Sequence, residues 1–313
     1  MKILVTGGAG YIGSVLVPLL LGEGHEVIVL DNFRYNQTSL LDCCHDSRLT
    51  IVRGDARDRN LVAESLQKCD AAFPLACLAG APECSKDPTQ ALDVNLNAVG
   101  MLLKLRSRNQ IVIFPTSNSG YGIGQVNAEG KPVHCTEETP LNPVSLYGRL
   151  KVQAEKLVLE SGNSITLRLA TAFGISPRMR LDLLVNDFTY RAVTDRFLVL
   201  FESHFKRNYI HVRDVARAFI HCLNHFDAGQ TYNVGLSDAN LSKWELCQEI
   251  QKQVPDFWFT EAQVGEDPDK RNYIVSNEKI EKTGFKPEVS LQMGIAELIK
   301  GYQVIRRSQF SNV

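Results

Sequence analysis

The chain has 313 residues, 22% of them charged, and a formal net charge of −1. That length suits one large α/β domain with an appendage, or two domains, and the balanced charge excludes both a basic field for nucleic acid and an acidic tether. Met1 runs at once into an apolar stretch, leaving no room for a signal peptide, and no apolar run approaches the roughly 20 residues of a bilayer span, so a cytoplasmic protein without membrane contact is expected.

In chain order, the first expected strand is 3–5 (Ile-Leu-Val), and Gly7-Gly8-Ala9-Gly10-Tyr11-Ile12-Gly13 follows it after one residue. A second apolar run over 27–30 closes on Asp31, 18 residues past Gly13. Strand, glycine turn, helix, strand and acid in this order point to dinucleotide binding. The glycines permit close approach of a pyrophosphate, the helix start offers N–H groups and a positive dipole end, and Asp31 accepts hydrogen bonds from the adenosine ribose while repelling a 2′-phosphate. NAD is thereby favoured over NADP; Arg34, three residues on, leaves that preference open.

Further apolar runs at 49–52, 71–75, 110–114 and 164–168 alternate with helical patterns at 59–68, 93–107 and 147–160. This rhythm predicts an α/β fold with a doubly wound parallel sheet whose ligands collect at the carboxyl ends of the strands. After Phe173-Gly174 it breaks into Ser176-Pro177-Arg178-Met179-Arg180. A smaller, discontinuous α/β substrate-binding domain is expected there. Residues 1–172 with about 208–236 are assigned to the cofactor, and about 173–207 with 237–313 to the substrate. The eight cysteines contain no Cys-x-x-Cys pair and read as reduced thiols, while the seven histidines show no metal-ligand spacing, so no metal is expected.

Tyr147-Gly-Arg-Leu-Lys151 opens the helix at 147–160, which sets the two side chains one turn apart on one face. An ammonium beside a phenol stabilises the phenolate, so the tyrosine can take a proton from a substrate hydroxyl. Ser117 follows directly on the strand ending at Phe114, where a doubly wound sheet gathers its active site, and its hydroxyl suits the same substrate oxygen.

Glycine loop, Asp31, Ser117 and Tyr147-x-x-x-Lys151 stand in the order and approximate spacing of the extended short-chain dehydrogenase/reductase family. Over nearly its whole length the chain resembles that family's nucleotide-sugar epimerases and dehydratases. The resemblance implies a Rossmann domain holding NAD through Gly7, Gly10, Tyr11, Ile12, Gly13, Asp31, Asn32, Asp55, Ala56, Leu75 and Ala76, with Tyr147 and Lys151. Asp55 and Ala56, in Gly54-Asp55-Ala56-Arg57-Asp58, match the adenine-contacting segment; Leu75-Ala76-Cys77 matches the cofactor-lining segment, with Pro74 in place of the usual histidine. Asn95 corresponds to a mainly structural asparagine. Arg207-Asn208-Tyr209-Ile210-His211-Val212 and Arg271 match the segments whose arginines grip the substrate diphosphate, the family's acid being Asn208 here. By the same resemblance the substrate is bound by Ser117, Asn118, Ser119, Arg178, Arg180, Asn186, Arg207 and Arg271, with one of the two close arginines, Arg178 or Arg180, open to pairing with Asp182. A homodimer through the helices at 93–107 and 147–160 is implied as well.

Within the family, 4,6-dehydratases carry an Asp-Glu pair after the catalytic Ser/Thr, decarboxylases a glutamate at the position of Ser119 and 3,5-epimerases a cysteine there. This chain has Asn118-Ser119, which leaves C4 hydride chemistry: a 4-dehydrogenase or a 4-epimerase. The stretches 118–124, 174–182, 185–190 and 265–271 are most similar to a bacterial GDP-manno-heptose 4-dehydrogenase subgroup of capsule and surface-polysaccharide synthesis. A GDP-sugar substrate is favoured and a UDP-sugar stays open. A non-catalytic NAD-binding redox sensor is the third reading, opposed by the presence of both Tyr147 and Lys151.

Overall fold

A computed structural model of the chain describes residues 1–265 and 270–305. Residues 266–269 of the stretch compared above, and 306–313 of the expected substrate domain, lie outside the described residues. The expected parallel sheet is present. Its seven strands are β1 (Lys2–Thr6), β2 (Glu26–Asp31), β3 (Leu49–Arg53), β4 (Ala71–Pro74), β5 (Ile111–Ser117), β6 (Ser164–Leu169) and β7 (Thr231–Val234). They run in the order β7-β6-β5-β4-β1-β2-β3, with every pairing parallel. Ile3, Leu4 and Val5 of β1 are fully buried, as central strands covered on both faces require.

Helices cover the two faces. α1 (Gly13–Gly22) and α5 (Val212–Asn224) pack side by side on one, the latter bringing Phe219 to within 5.4 Å of the Phe73 ring on β4. The opposite face carries α2 (Ala98–Leu105) and α3 (Leu146–Glu160). The expected helix at 93–107 is divided: a π turn over Asp93–Asn97 precedes α2. It faces buried Asn95 toward β4's exit, where Oδ1 accepts from the Leu78 N–H at 2.8 Å and Nδ2 donates to the Leu78 carbonyl at 3.0 Å. α3 begins where Ser145 Oγ accepts from the Gly148 N–H at 3.1 Å, a cap that fixes the helix start beneath the cleft. Inside, Arg168 of β6 meets Glu155 of α3 at 2.7 Å, with both side chains almost fully buried.

Past β6 the rhythm changes, as expected. Thr171–Phe173, Lys206–His211 and Asn240–Ser242 form a small sheet, Phe197–Leu200 pairs in parallel with Trp258–Glu261, and α4 (Leu184–Thr194) packs among them. One apolar core runs from Ile3 of β1 through Phe173 and Phe257 to Leu298, so both parts of the chain share it. His211 lies within this core, fully buried, its ring edge-on to Phe173 at 5.4 Å. Glycines make room for it: a Cβ at Gly174 would lie 2.1 Å from the His211 ring, and one at Gly294 would lie 2.3 Å from the Phe173 ring and 3.0 Å from that of His211.

Candidate active site

A cleft of about 610 Å³ opens at the carboxyl ends of the sheet strands. Its floor is the β1–α1 turn. Gly7 has φ +71°, and a Cβ there would lie 2.6 Å from the Ala76 backbone nitrogen; one at Gly13 would lie 2.5 Å from the Gly8 carbonyl. These two glycines thus let the protein's own backbone close up. Gly10 differs: a Cβ there would meet only the Gly7 carbonyl, at 3.1 Å, and Gly10 lines the cleft. No side chain caps the N-terminus of α1. An open glycine before an uncapped helix start is a cradle that suits a diphosphate.

Asp31 ends β2 with only 7% exposure. Its carboxylate accepts from the Ala9 N–H at 3.0 Å, the Phe33 N–H at 2.8 Å and Gln37 Nε2 at 3.4 Å. Burial raises its pKa, opposed by those backbone hydrogen bonds and by the charge of Arg178. Arg34, whose cation left the cofactor preference open, donates to Gln90 Oε1 at 2.7 Å. Asn32 lines the cleft beside Asp31, and Asp55 pairs with Arg57 at 2.8 Å next to Ala56. The near wall is Leu75, Ala76 and Cys77, held to the floor where the Leu75 N–H donates to the Thr6 carbonyl at 2.9 Å.

Ser117 closes β5, and its Oγ accepts from the Ser119 N–H at 3.1 Å. Tyr147 and Lys151 reach the same cleft from α3. Lys151 Nζ donates to the Pro115 carbonyl at 2.9 Å and lies 4.7 Å from the centre of the Phe114 ring. The Tyr147 phenol is pushed well above its ordinary range, chiefly by burial and then by the Cys77 thiol; Arg180 and Arg271 pull it back.

A strap over 174–183 crosses above the floor. Tyr11 Oη donates to the Gly174 carbonyl at 2.8 Å, Ser176 Oγ donates to the Tyr11 carbonyl at 2.7 Å, and Ser14 and Ser176 hydroxyls meet at 2.9 Å. The Ile175 N–H donates to Glu297 at 3.3 Å. From the strap, Arg178 lays its guanidinium 4.2 Å over the Tyr35 ring, and Arg180 pairs with Asp182.

The cleft therefore gathers Gly7, Gly10, Tyr11, Ile12, Gly13, Asp31, Asn32, Asp55, Ala56, Leu75, Ala76, Ser117, Tyr147, Lys151, Arg178, Arg180 and Arg271. Asn118, Ser119, Asn186 and Arg207, expected at the substrate, are not among the lining residues. Asn118 and Ser119 are 1% exposed, tucked under the cleft in a short turn over Asn118–Tyr121. Asn186 is a brace: Oδ1 accepts from the Gly174 N–H at 2.9 Å and Nδ2 donates to the Arg180 carbonyl at 2.8 Å. Arg207 is buried, donating to the Lys206 carbonyl at 2.9 Å with its guanidinium 5.7 Å from the Tyr273 ring. Tyr35, Gln37 and Gln90 line the cleft without having been singled out. A lone aromatic or amide in a loop or a five-residue helix carries no periodicity that marks it. Among the described residues no cluster of metal-binding side chains occurs and no helix is long and apolar enough to cross a membrane; all eight cysteines are free thiols.

A parallel sheet with a glycine turn, an acid ending β2 and a Ser/Tyr/Lys group at the ends of β5 and α3 defines a nucleotide-dependent oxidoreductase fold. The family model described as NAD dependent epimerase/dehydratase family matches residues 3–235, and the chain belongs to that family. It is 30% identical over 281 residues to the UDP-glucose 4-epimerase of Lacticaseibacillus casei, covering 80% of this chain and 81% of that one. To UDP-glucuronic acid decarboxylase 1 of Arabidopsis thaliana it is 26% identical over 313 residues, covering 97% and 70%. The fold superposes on DesIV, the dTDP-glucose 4,6-dehydratase of Streptomyces venezuelae solved with NAD and TYD bound, with a TM-score of 0.85, 26% identity and 99% of each chain covered.

Proposed function

We propose that this enzyme binds NAD along the floor of the cleft and oxidises C4 of a nucleotide-activated sugar. In its finer form the reading is a GDP-manno-heptose 4-dehydrogenase that delivers a 4-keto sugar for surface-polysaccharide synthesis. The residues fit the cofactor: Gly10 and the α1 N-terminus suit its diphosphate, and Asp31 suits the adenosine ribose. Bound NAD supplies the acceptor for the hydrogen that leaves C4 with its electron pair. Tyr147 takes the proton of the C4 hydroxyl, Ser117 Oγ orients that oxygen, and Lys151, anchored on the Pro115 carbonyl, keeps a positive charge on the same side. In this reading 1–172 with about 208–236 form the cofactor half and about 173–207 with 237–313 the sugar-nucleotide half. Two copies pair through α2 and α3.

The observation that carries the reading is where the carboxylates lie. Among the described residues that line the cleft, the only ones are Asp31 and Asp55, after β2 and β3, while Ser117 and Tyr147 stand at β5 and α3 with β1 and β4 between. Elimination of water needs an acid and a base beside the sugar ring, and among the described lining residues no carboxylate accompanies Tyr147. The resemblance of 118–124, 174–182 and 185–190 favours the GDP-heptose dehydrogenase; the likeness to a UDP-glucose 4-epimerase favours return of the hydrogen to the opposite face instead.

The test is a mass and cofactor balance after incubating protein and NAD with GDP-manno-heptose, GDP-mannose and UDP-glucose in parallel. A product lighter by two hydrogens with matching reduced cofactor is expected. An isomer without net reduction assigns the epimerase, and loss of water overturns the reading.

A further inference from the structure

The two arginines of the strap engage different parts of the cleft. Arg180 bonds the Asp182 carboxylate and donates to the Ala79 carbonyl at 3.3 Å, on the wall after β4. Arg178, only 5% exposed, meets the cofactor side instead. Its N–H donates to Ser14 Oγ at 3.4 Å, in the first turn of α1. Its guanidinium donates to the Met179 carbonyl and lies 4.2 Å over the ring of Tyr35, in the loop after β2. These neighbours belong to the elements that carry the diphosphate cradle and Asp31.

The loop that presents Tyr35 is braced for the purpose. Asp31 Oδ1 accepts from the Phe33 N–H at 2.8 Å and from Gln37 Nε2 at 3.4 Å, and Gln37 Oε1 accepts from the Tyr35 N–H at 3.1 Å. Phe33 and Asn36, on either side of Tyr35, hold φ +52° and +49°, a backbone that L side chains rarely adopt. Beyond the ring, the Arg34 guanidinium lies 5.8 Å from its centre and donates to Gln90 Oε1 at 2.7 Å, on the short helix Pro88–Leu92. Contacts therefore run without a break from the strap, through the loop, to that helix. All four side chains, Arg178, Tyr35, Arg34 and Gln90, line the cleft together with Asp31.

We propose that Arg178 serves the cofactor and not the sugar nucleotide, forming with Tyr35 a clasp over the adenosine half of NAD that slows its release. Asp31 marks that half, since its carboxylate suits the adenosine ribose. A guanidinium is held over an aromatic face by the ring quadrupole, and more firmly when it is withdrawn from water, as Arg178 is. The inference rests on the NAD site and not on which sugar is oxidised.

The experiment loads the protein with NADH, chases it with excess NAD and follows the loss of bound-NADH fluorescence by stopped flow. GDP and UDP are titrated in parallel into the NAD-loaded proteins by calorimetry. Tyr35→Ala and Arg178→Gln each speed release by about 10-fold. The double variant goes no further than either single one, because both remove the same contact. Tyr35→Phe, which keeps the ring, releases at the wild-type rate, and GDP and UDP affinities do not change in any variant. Wild-type release from Tyr35→Ala overturns the inference, as does a double variant whose effects multiply. Weakened GDP or UDP binding in Arg178→Gln with unchanged cofactor release overturns it too, and assigns the arginine to the sugar nucleotide. Where Arg178→Gln fails to fold, Tyr35→Ala against Tyr35→Phe decides alone, at a residue 42% exposed. If the wild type binds neither GDP nor UDP, or oxidises no nucleotide sugar, the functional reading falls and the release rates still decide the clasp.

Discussion

The floor and the strap of the cleft are built on different principles. On the floor, close backbone contacts dictate the residue: Gly7 and Gly13 stand where a Cβ would lie 2.6 Å from Ala76 and 2.5 Å from Gly8. Over it, the strap is held by side-chain hydrogen bonds, through Tyr11 Oη on the Gly174 carbonyl, Ser176 on Tyr11, Asn186 on Gly174 and Glu297 on Ile175. The floor cannot change by degrees. The strap can, because each hydrogen bond contributes about 1 kcal/mol and can be lost alone.

The chemistry that both parts serve sets the upper limit. Tyr147→Phe lowers kcat by about 10³-fold while circular dichroism and NAD titration match the wild type; retention of full activity removes the mechanism. The floor comes next. Gly7→Ala, forcing a side chain onto φ +71° and into Ala76, destabilises by about 2 kcal/mol or more in urea unfolding. Gly10→Ala leaves the unfolding midpoint near wild type and weakens NAD binding instead, and equal midpoints for the two variants would erase the distinction between structural and cradle glycines. For the strap, Tyr11→Phe removes the hydrogen bond to Gly174 and costs about 1 kcal/mol in the same unfolding assay.

The smallest effect expected is on acidification. Burial raises the Glu297 carboxyl, but the His211 ring 3.6 Å away and the hydrogen bond and charge of Arg213 outweigh it and bring the pKa down to about 2. Its contribution to stability is therefore complete above the ordinary carboxylate range and is lost as pH falls toward about 2. The gap in Tm between wild type and Glu297→Gln narrows between about pH 5 and about pH 2; a gap that stays constant would show that the carboxylate does not hold the strap through its charge.

Legibility in the sequence follows the same division. The strands, the glycine turn, Asp31 and the Ser117, Tyr147 and Lys151 group were readable because each depends on local periodicity or on a strand end. Asn118, Ser119, Asn186 and Arg207 were read as reaching the substrate, yet they lie outside the lining residues. A polar residue looks alike in sequence whether it meets a ligand or braces the backbone, and only the fold shows that Asn186, in the first turn of α4, spends its amide on Gly174, Arg180 and Tyr11.

Gly174, Gly294 and His211 carry a consequence for how this chain can vary. The imidazole fills the space that the two missing side chains leave, with 2.1 Å and 3.0 Å to the places their Cβ atoms would take. A methyl at Gly174 runs into the imidazole, one at Gly294 runs first into the Phe173 ring at 2.3 Å, and a smaller residue at 211 opens a hole under the strap. Homologous sequences are therefore expected to change at 173, 174, 211 and 294 together, as one unit of inheritance spread over distant codons.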